Sequence, residues 1–128
     1  MANIKQLGEF GLIERLQVQL NSPSSRVQKG IGDDCAIFST QSKKVQLIST
    51  DALIESIHFD LKRISAEQLG YKAMAVNISD IAAMGGNPYL AVISIGLPKS
   101  TSINFLDKFY SGLQSCCNSY KIKLAGGD

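Results

Sequence analysis

Five of the chain's seven aspartates occur in settings that are wrong for an ordinary charged surface. Asp33 and Asp34 end the segment Gly30-Ile-Gly-Asp-Asp34, and Asp51 follows the hydroxyl pair Ser49 and Thr50. Asp80 closes Asn77-Ile-Ser-Asp80, and Asp128 follows Gly126 and Gly127. Short carboxylates on tight backbone suit a hard cation, because Mg²⁺ takes oxygen ligands at close range and tolerates little distortion. Carboxylates drawn to one place repel each other unless metal ions lie between them. The pattern points to a site for Mg²⁺ and phosphate, and so to phosphoryl transfer.

Each segment also has a plainer reading. Two glycines in Gly30-Ile-Gly-Asp-Asp34 let the backbone approach a ligand, but Gly-Asp pairs are equally common in turns. Ser49-Thr-Asp51 ends the apolar run Val45 to Ile48, where hydroxyls and a carboxylate serve either a metal-bound phosphate or a helix cap. Asp80 lies among Ala75, Val76, Ile78, Ile81, Ala82 and Ala83, so it is expected on a buried helix. There a carboxylate needs a cation or close hydrogen-bond partners. Asn77 and Asp80 are three residues apart and share a face. His58 is the chain's single histidine, a residue type more often structural than catalytic when alone. No Walker-type glycine-lysine loop is present, so a nucleotide would not be held in the P-loop manner.

The elements that must position these residues follow from periodicity. Phe10, Ile13, Leu16 and Leu20 predict an amphipathic helix over 8–20, ended by Asn21-Ser-Pro-Ser-Ser25. Cys35 to Phe38 and Val45 to Thr50 read as two strands, able to form a hairpin. Ser65-Ala-Glu-Gln68 is a capping box opening a helix to about Met84, stopped by Gly85-Gly86. Tyr89 to Leu97 reads as a buried strand. Ser102 caps a helix with the stripe Leu106, Phe109, Leu113, Cys116 or Cys117, and Tyr120. Lys121 to Ala125 is a final strand. Helices between strands imply crossovers, hence an α/β or α+β fold with helices on one face of a sheet.

The 128 residues, 45% of them hydrophobic, fit one domain with a real core. A net charge of +2 with scattered basic residues argues against nucleic-acid binding. The apolar runs are too short to span a bilayer, and the N-terminus lacks a signal peptide's apolar segment, so a cytoplasmic location and no membrane partner are expected. Cys35, Cys116 and Cys117 have no metal-ligand spacing and read as reduced structural thiols.

Together the segments Gly8-Glu-Phe-Gly-Leu-Ile13, Gly-Ile-Gly-Asp-Asp-Cys-Ala, Ile-Ser-Thr-Asp, His58-Phe59, the run from Tyr71 to Gly85 containing Asn-Ile-Ser-Asp-Ile-Ala-Ala-Met, and Leu-Ala-Gly-Gly-Asp resemble the N-terminal domain of the bacterial thiamine-monophosphate kinases. The match runs in order over essentially the whole chain. The wider superfamily includes aminoimidazole ribonucleotide synthetases and selenophosphate synthetases, which remain alternatives, as does a non-enzymatic cation-binding or dimerisation domain.

The resemblance implies ATP-dependent phosphorylation of thiamine monophosphate to thiamine diphosphate. Transfer would be direct and in line, with electrostatic catalysis by several Mg²⁺ ions and no covalent catalytic residue. It matches Asp34, Ser49, Thr50, Asp51, Asp80 and Asp128 to metal ligands, with Asp33 assisting. His58 matches a substrate contact. Tyr110, Gly127 and Asp128 match nucleotide contacts. It also implies a four-stranded mixed sheet that pairs into a shared barrel in a homodimer. Residues 1–128 would then be a single N-terminal domain, cut short of a C-terminal domain that follows Gly-Gly-Asp, and inactive alone.

Overall fold

Ser65 opens the best-defined helix. In the computed structural model, which describes residues 4–20, 27–40 and 44–127, its side chain accepts from the backbone N–H of Gln68 at 3.1 Å. The Gln68 side chain accepts from the N–H of Ser65 at 2.9 Å, completing the capping box. The helix α2 runs Ala66–Ala83 and ends at Met84, with Gly85 at φ 69° beyond it. Ser102 caps a second long helix, α3 at Ile103–Tyr120, by accepting from Phe105 N–H at 3.1 Å. Both helices agree with the sequence expectation.

The chain divides into two compact units, 1–49 and 50–128. In the second unit α2 and α3 pack together. Ala66, Leu69, Met74 and Ile78 meet Phe109, Leu113, Cys116 and Cys117, with Ile122 completing the core. Leu113 is 1% exposed, a burial that contributes roughly 1.5–3 kcal/mol. The helices touch backbone to backbone. A Cβ on Gly70 would stand 1.8 Å from the Phe109 carbonyl oxygen, and one on Gly112 would stand 1.8 Å from that of Glu67. Only glycine permits this crossing.

Two parallel strands flank α3 in sequence: β4 at Leu90–Ile93 and β5 at Lys123–Gly127. The register slips between Ala91 and Val92. The expected strand Tyr89 to Leu97 is therefore shorter than its apolar run. It is also not buried throughout, since Val92 is 74% exposed. Alternation explains this: Ala91 and Ile93 pack toward the helices while Leu90 and Val92 face away.

In the first unit a helix, α1 at Ile4–Leu20, is interrupted at Gly8 (φ 70°, ψ 176°). Ile13 and Leu16 are half-buried, whereas Phe10 and Leu20 of the expected stripe are exposed. Strands β1 at Val27–Lys29, β2 at Ala36–Ser39 and β3 at Val45–Ile48 form an antiparallel sheet in the order β1-β2-β3. The β2–β3 pair is the expected hairpin, with Ala36 opposite Ile48 and Ser39 opposite Val45.

The mixed α/β class agrees with expectation, but the sheet count does not. One sheet of four strands is expected, and the described residues form a three-stranded and a two-stranded sheet. The additional strand β1 has the sequence Val-Gln-Lys, with no apolar run. It is defined by pairing with β2, from Val27 opposite Phe38 to Lys29 opposite Ile37.

Candidate functional site

Within the first unit the loop of Gly30 to Asp34 is tied at three points. The Gln17 side-chain amide of α1 donates to the Ile31 carbonyl. Asp33 forms an ion pair with Lys29 and also accepts from the N–H of Asp34, at 3.0 Å. Asp33 thus has a local cation partner and orients its neighbour's backbone. Asp34 is exposed, and Ser49, which ends this unit, is half-buried.

In the second unit, Thr50 and Asp51 lie in a segment that has no regular structure of its own. Asp51 is held from outside: its backbone N–H donates to Oδ1 of Asn77 on α2 at 3.0 Å. Asn77 Nδ2 donates back to the Ala73 carbonyl at 3.0 Å. Asp80 stands three residues further along α2, on the face that carries Asn77. Asp80 is half-buried, not buried as expected. The buried residues of α2 are Ala66, Leu69, Gly70, Met74 and Ile78, and Asp80 follows the last of them toward the helix C-terminus. Small apolar neighbours gave the helix a uniformly apolar sequence, yet burial stops at Ile78, and Ala82 and Ala83 in the last turn are exposed.

His58 lies in a loop closed by its own hydrogen bonds. His58 N–H donates to the Ile54 carbonyl at 2.8 Å, and Ser56 N–H donates to that of Phe59 at 2.7 Å. Ser56 has φ 66°, an unusual conformation for a residue with a side chain. The Ile54 N–H donates to His58 Nδ1 at 3.0 Å, so the neutral ring carries its proton on Nε2. The ring is exposed. Lys72 of α2 donates through Nζ to the His58 carbonyl. The same helix therefore restrains both the Asp51 segment and the His58 loop.

Tyr110 is half-buried, with its ring edge against that of Phe109 at 5.6 Å between centroids. Gly127 has φ 150°, and a Cβ there would stand 1.8 Å from the Ile93 carbonyl oxygen, so pairing with β4 alone requires glycine. Asp128 lies outside the described residues. Among the described residues, no three His, Cys, Asp or Glu side chains converge as a metal-holding group. The donors at 49–51 and at Asp80 are all oxygens, the chemistry a hard cation takes.

Sequence reasoning missed Asn77 as a contact to Asp51 and Lys72 as a contact to His58. The three-residue spacing of Asn77 and Asp80 was the available signal for the first. Nothing local signalled the second. The thiols agree with expectation: Cys35, Cys116 and Cys117 are buried and in no disulfide. Burial pushes the pKa of Cys116 and of Cys117 above the usual 9.0. Among the described residues, no helix is long and apolar enough to cross a membrane.

Residues 32–128 match the family described as AIR synthase related protein, N-terminal domain. A protein of Aquifex aeolicus named thiamine-monophosphate kinase is 42% identical over 125 residues, covering 98% of this chain and 38% of its own length. A protein of the same name from Bacillus subtilis is 38% identical, covering 95% of this chain and 37% of its own. A solved structure described as AaThiL complexed with AMPPCP and TMP superposes with a TM-score of 0.88 at 39% identity, covering 99% of this chain and 38% of that one. The chain thus spans well under half the length of these relatives.

Proposed function

The chain belongs to the AIR synthase related proteins, as their N-terminal domain, and on that footing we propose that it is the ATP- and Mg²⁺-binding part of a cytoplasmic thiamine-monophosphate kinase. The observation that carries this reading is the hydrogen bond from the Asp51 N–H to Asn77, which ties the Asp51 backbone to the helix that bears Asp80. The similarity to a structure described with AMPPCP and TMP supports ATP and thiamine monophosphate as the ligand pair.

In this reading Asp34, Ser49, Thr50, Asp51, Asp80 and Asp128 supply oxygens for metal. Asp33, engaged by Lys29, assists by orienting the backbone of Asp34. Bound Mg²⁺ would screen the charge between two anionic reactants and stabilise the charge that develops in transfer. The chain's own residues do the positioning. His58 presents an Nε2–H toward the acceptor phosphate, because its Nδ1 is already engaged by Ile54. Tyr110, Gly127 and Asp128 contact the nucleotide. Transfer is in line, with no covalent enzyme intermediate.

The relatives are more than twice as long as this chain. We assign the remaining nucleotide and substrate contacts to a second domain and predict no turnover for residues 1–128 alone. The exposed Leu90 and Val92 of β4 support pairing of two copies through their sheets, as a barrel-forming homodimer. Light scattering that finds only monomer at tens of micromolar, a concentration suited to dimers of ordinary affinity, would oppose pairing by this domain alone.

Titrating the chain with Mn²⁺, with and without AMPPCP, tests the site. Binding that tightens with the nucleotide analogue is expected, since Mg²⁺-type cations keep much of their water until phosphate oxygens replace it. Absence of binding in both conditions would remove the metal role. Binding without any nucleotide dependence would favour a plain cation-binding domain.

A further inference from the structure

The side chain of Asn77 has both ends committed. Nδ2 donates to the carbonyl of Ala73, one turn back on α2, and Oδ1 accepts from the backbone N–H of Asp51, 26 residues away in sequence. The first bond decides the second. If the amide turned over, Nδ2 would face the Asp51 N–H, donor against donor, and Oδ1 would face the Ala73 carbonyl, acceptor against acceptor. The helix therefore presents one acceptor, in one orientation, to a segment with no regular structure of its own. The helix is itself fixed, by its capping box and by the close crossing at Gly70 and Gly112.

Asn77 is a neutral residue and is no ligand in the set proposed above. We infer that Asn77 is a positioning residue: it locks the Thr50–Asp51 backbone to α2 and so sets where the Asp51 carboxylate stands relative to Asp80. This inference rests on the metal reading of those two carboxylates. An outer partner of this kind governs affinity without touching the ion, and its loss typically costs about 10–100-fold in metal affinity.

The test uses the 128-residue chain, Mn²⁺ as the probe with AMPPCP present, and hydrogen exchange of the Asp51 amide. Asn77→Ala removes the acceptor, and alanine favours the helix. It should speed exchange at Asp51 and weaken Mn²⁺ binding by about tenfold or more, with the melting temperature nearly unchanged. Asn77→Asp keeps an acceptor for the Asp51 N–H but loses the donor to the Ala73 carbonyl, so its exchange should fall between that of the parent and that of Asn77→Ala. Parent-like exchange and affinity in Asn77→Ala would overturn the inference. So would fast exchange with parent-like affinity, because the tie would then have no bearing on the metal. A parent chain that binds no Mn²⁺ would overturn the metal reading and this role together, a result separable from the variant outcomes.

Discussion

The backbone N–H of Asp51 and the side-chain Oδ1 of Asn77 meet at 3.0 Å, joining an irregular segment to the middle of a long helix. Asp51 has no ladder or helix partner of its own, so its position is inherited from α2. Lys72 extends the same arrangement to His58 by donating to its carbonyl. The residues proposed to face phosphate in this unit thus depend on a helix that also forms the core.

That helix tolerates no added atom at its crossing with α3. Gly70→Ala or Gly112→Ala would drive a Cβ to 1.8 Å from a carbonyl oxygen of the other helix. Because the obstacle is backbone, the helices must separate. Each change should destabilise by roughly 3 kcal/mol, the upper part of the range for overpacking. Gly96→Ala, where no atom lies within 4 Å, should stay within about 0.5 kcal/mol. Chemical denaturation of the three variants checks the contrast.

The His58 loop stores strain at Ser56, with φ 66°. A side chain in this left-handed conformation costs about 1–2 kcal/mol. Glycine removes that cost but adds about 0.5–1 kcal/mol of unfolded-chain entropy. Relief exceeds the loss, so Ser56→Gly should stabilise by roughly 0.5–1 kcal/mol in denaturant titration. A destabilised variant would mean that the Ser56 side chain contributes to the fold.

How much of this was legible in the sequence differs by element. The capping box at Ser65 and Gln68, the Ser102 cap and the Gly85 stop are local signals, and the helices lie where those signals place them. Strand β1 was not legible, because Val-Gln-Lys has no pattern and becomes a strand only by pairing with β2. The burial of Asp80 was misjudged because alanines look apolar whichever way they face. The candidate residues were marked by composition, and the three-residue spacing put Asn77 on the face of Asp80, but that Asn77 would meet Asp51 depends on two elements coming together.

The buried thiols predict an alkaline limit to stability. Burial raises the pKa of Cys116 and Cys117, and the nearby ionisable Cys116 and Tyr120 raise that of Tyr71 above its usual 10.0. A raised native pKa means that the folded chain holds its protons longer than the unfolded chain. The stability from these groups is complete below pH 9.0 and is lost as pH rises through the native values. Melting temperature should fall above that pH, and less so in Cys116→Ala measured against its own neutral-pH value. Near neutral pH a thiol reagent should label neither Cys116 nor Cys117 until the chain unfolds.

Asp80→Asn separates a metal-binding from a structural carboxylate. The amide is isosteric, and Asp80 is half-buried, so the fold should persist with a change of no more than about 1–3 kcal/mol. In the whole protein, turnover should fall by orders of magnitude if Asp80 holds metal. Near-normal turnover with reduced stability would assign it a structural role.

The most direct measurement follows label from the γ-phosphate of ATP in the whole protein, with Mg²⁺ and thiamine monophosphate. The account predicts label in thiamine diphosphate, formed in step with ADP. ADP release that requires a different acceptor, or no transfer to thiamine monophosphate at all, would contradict it.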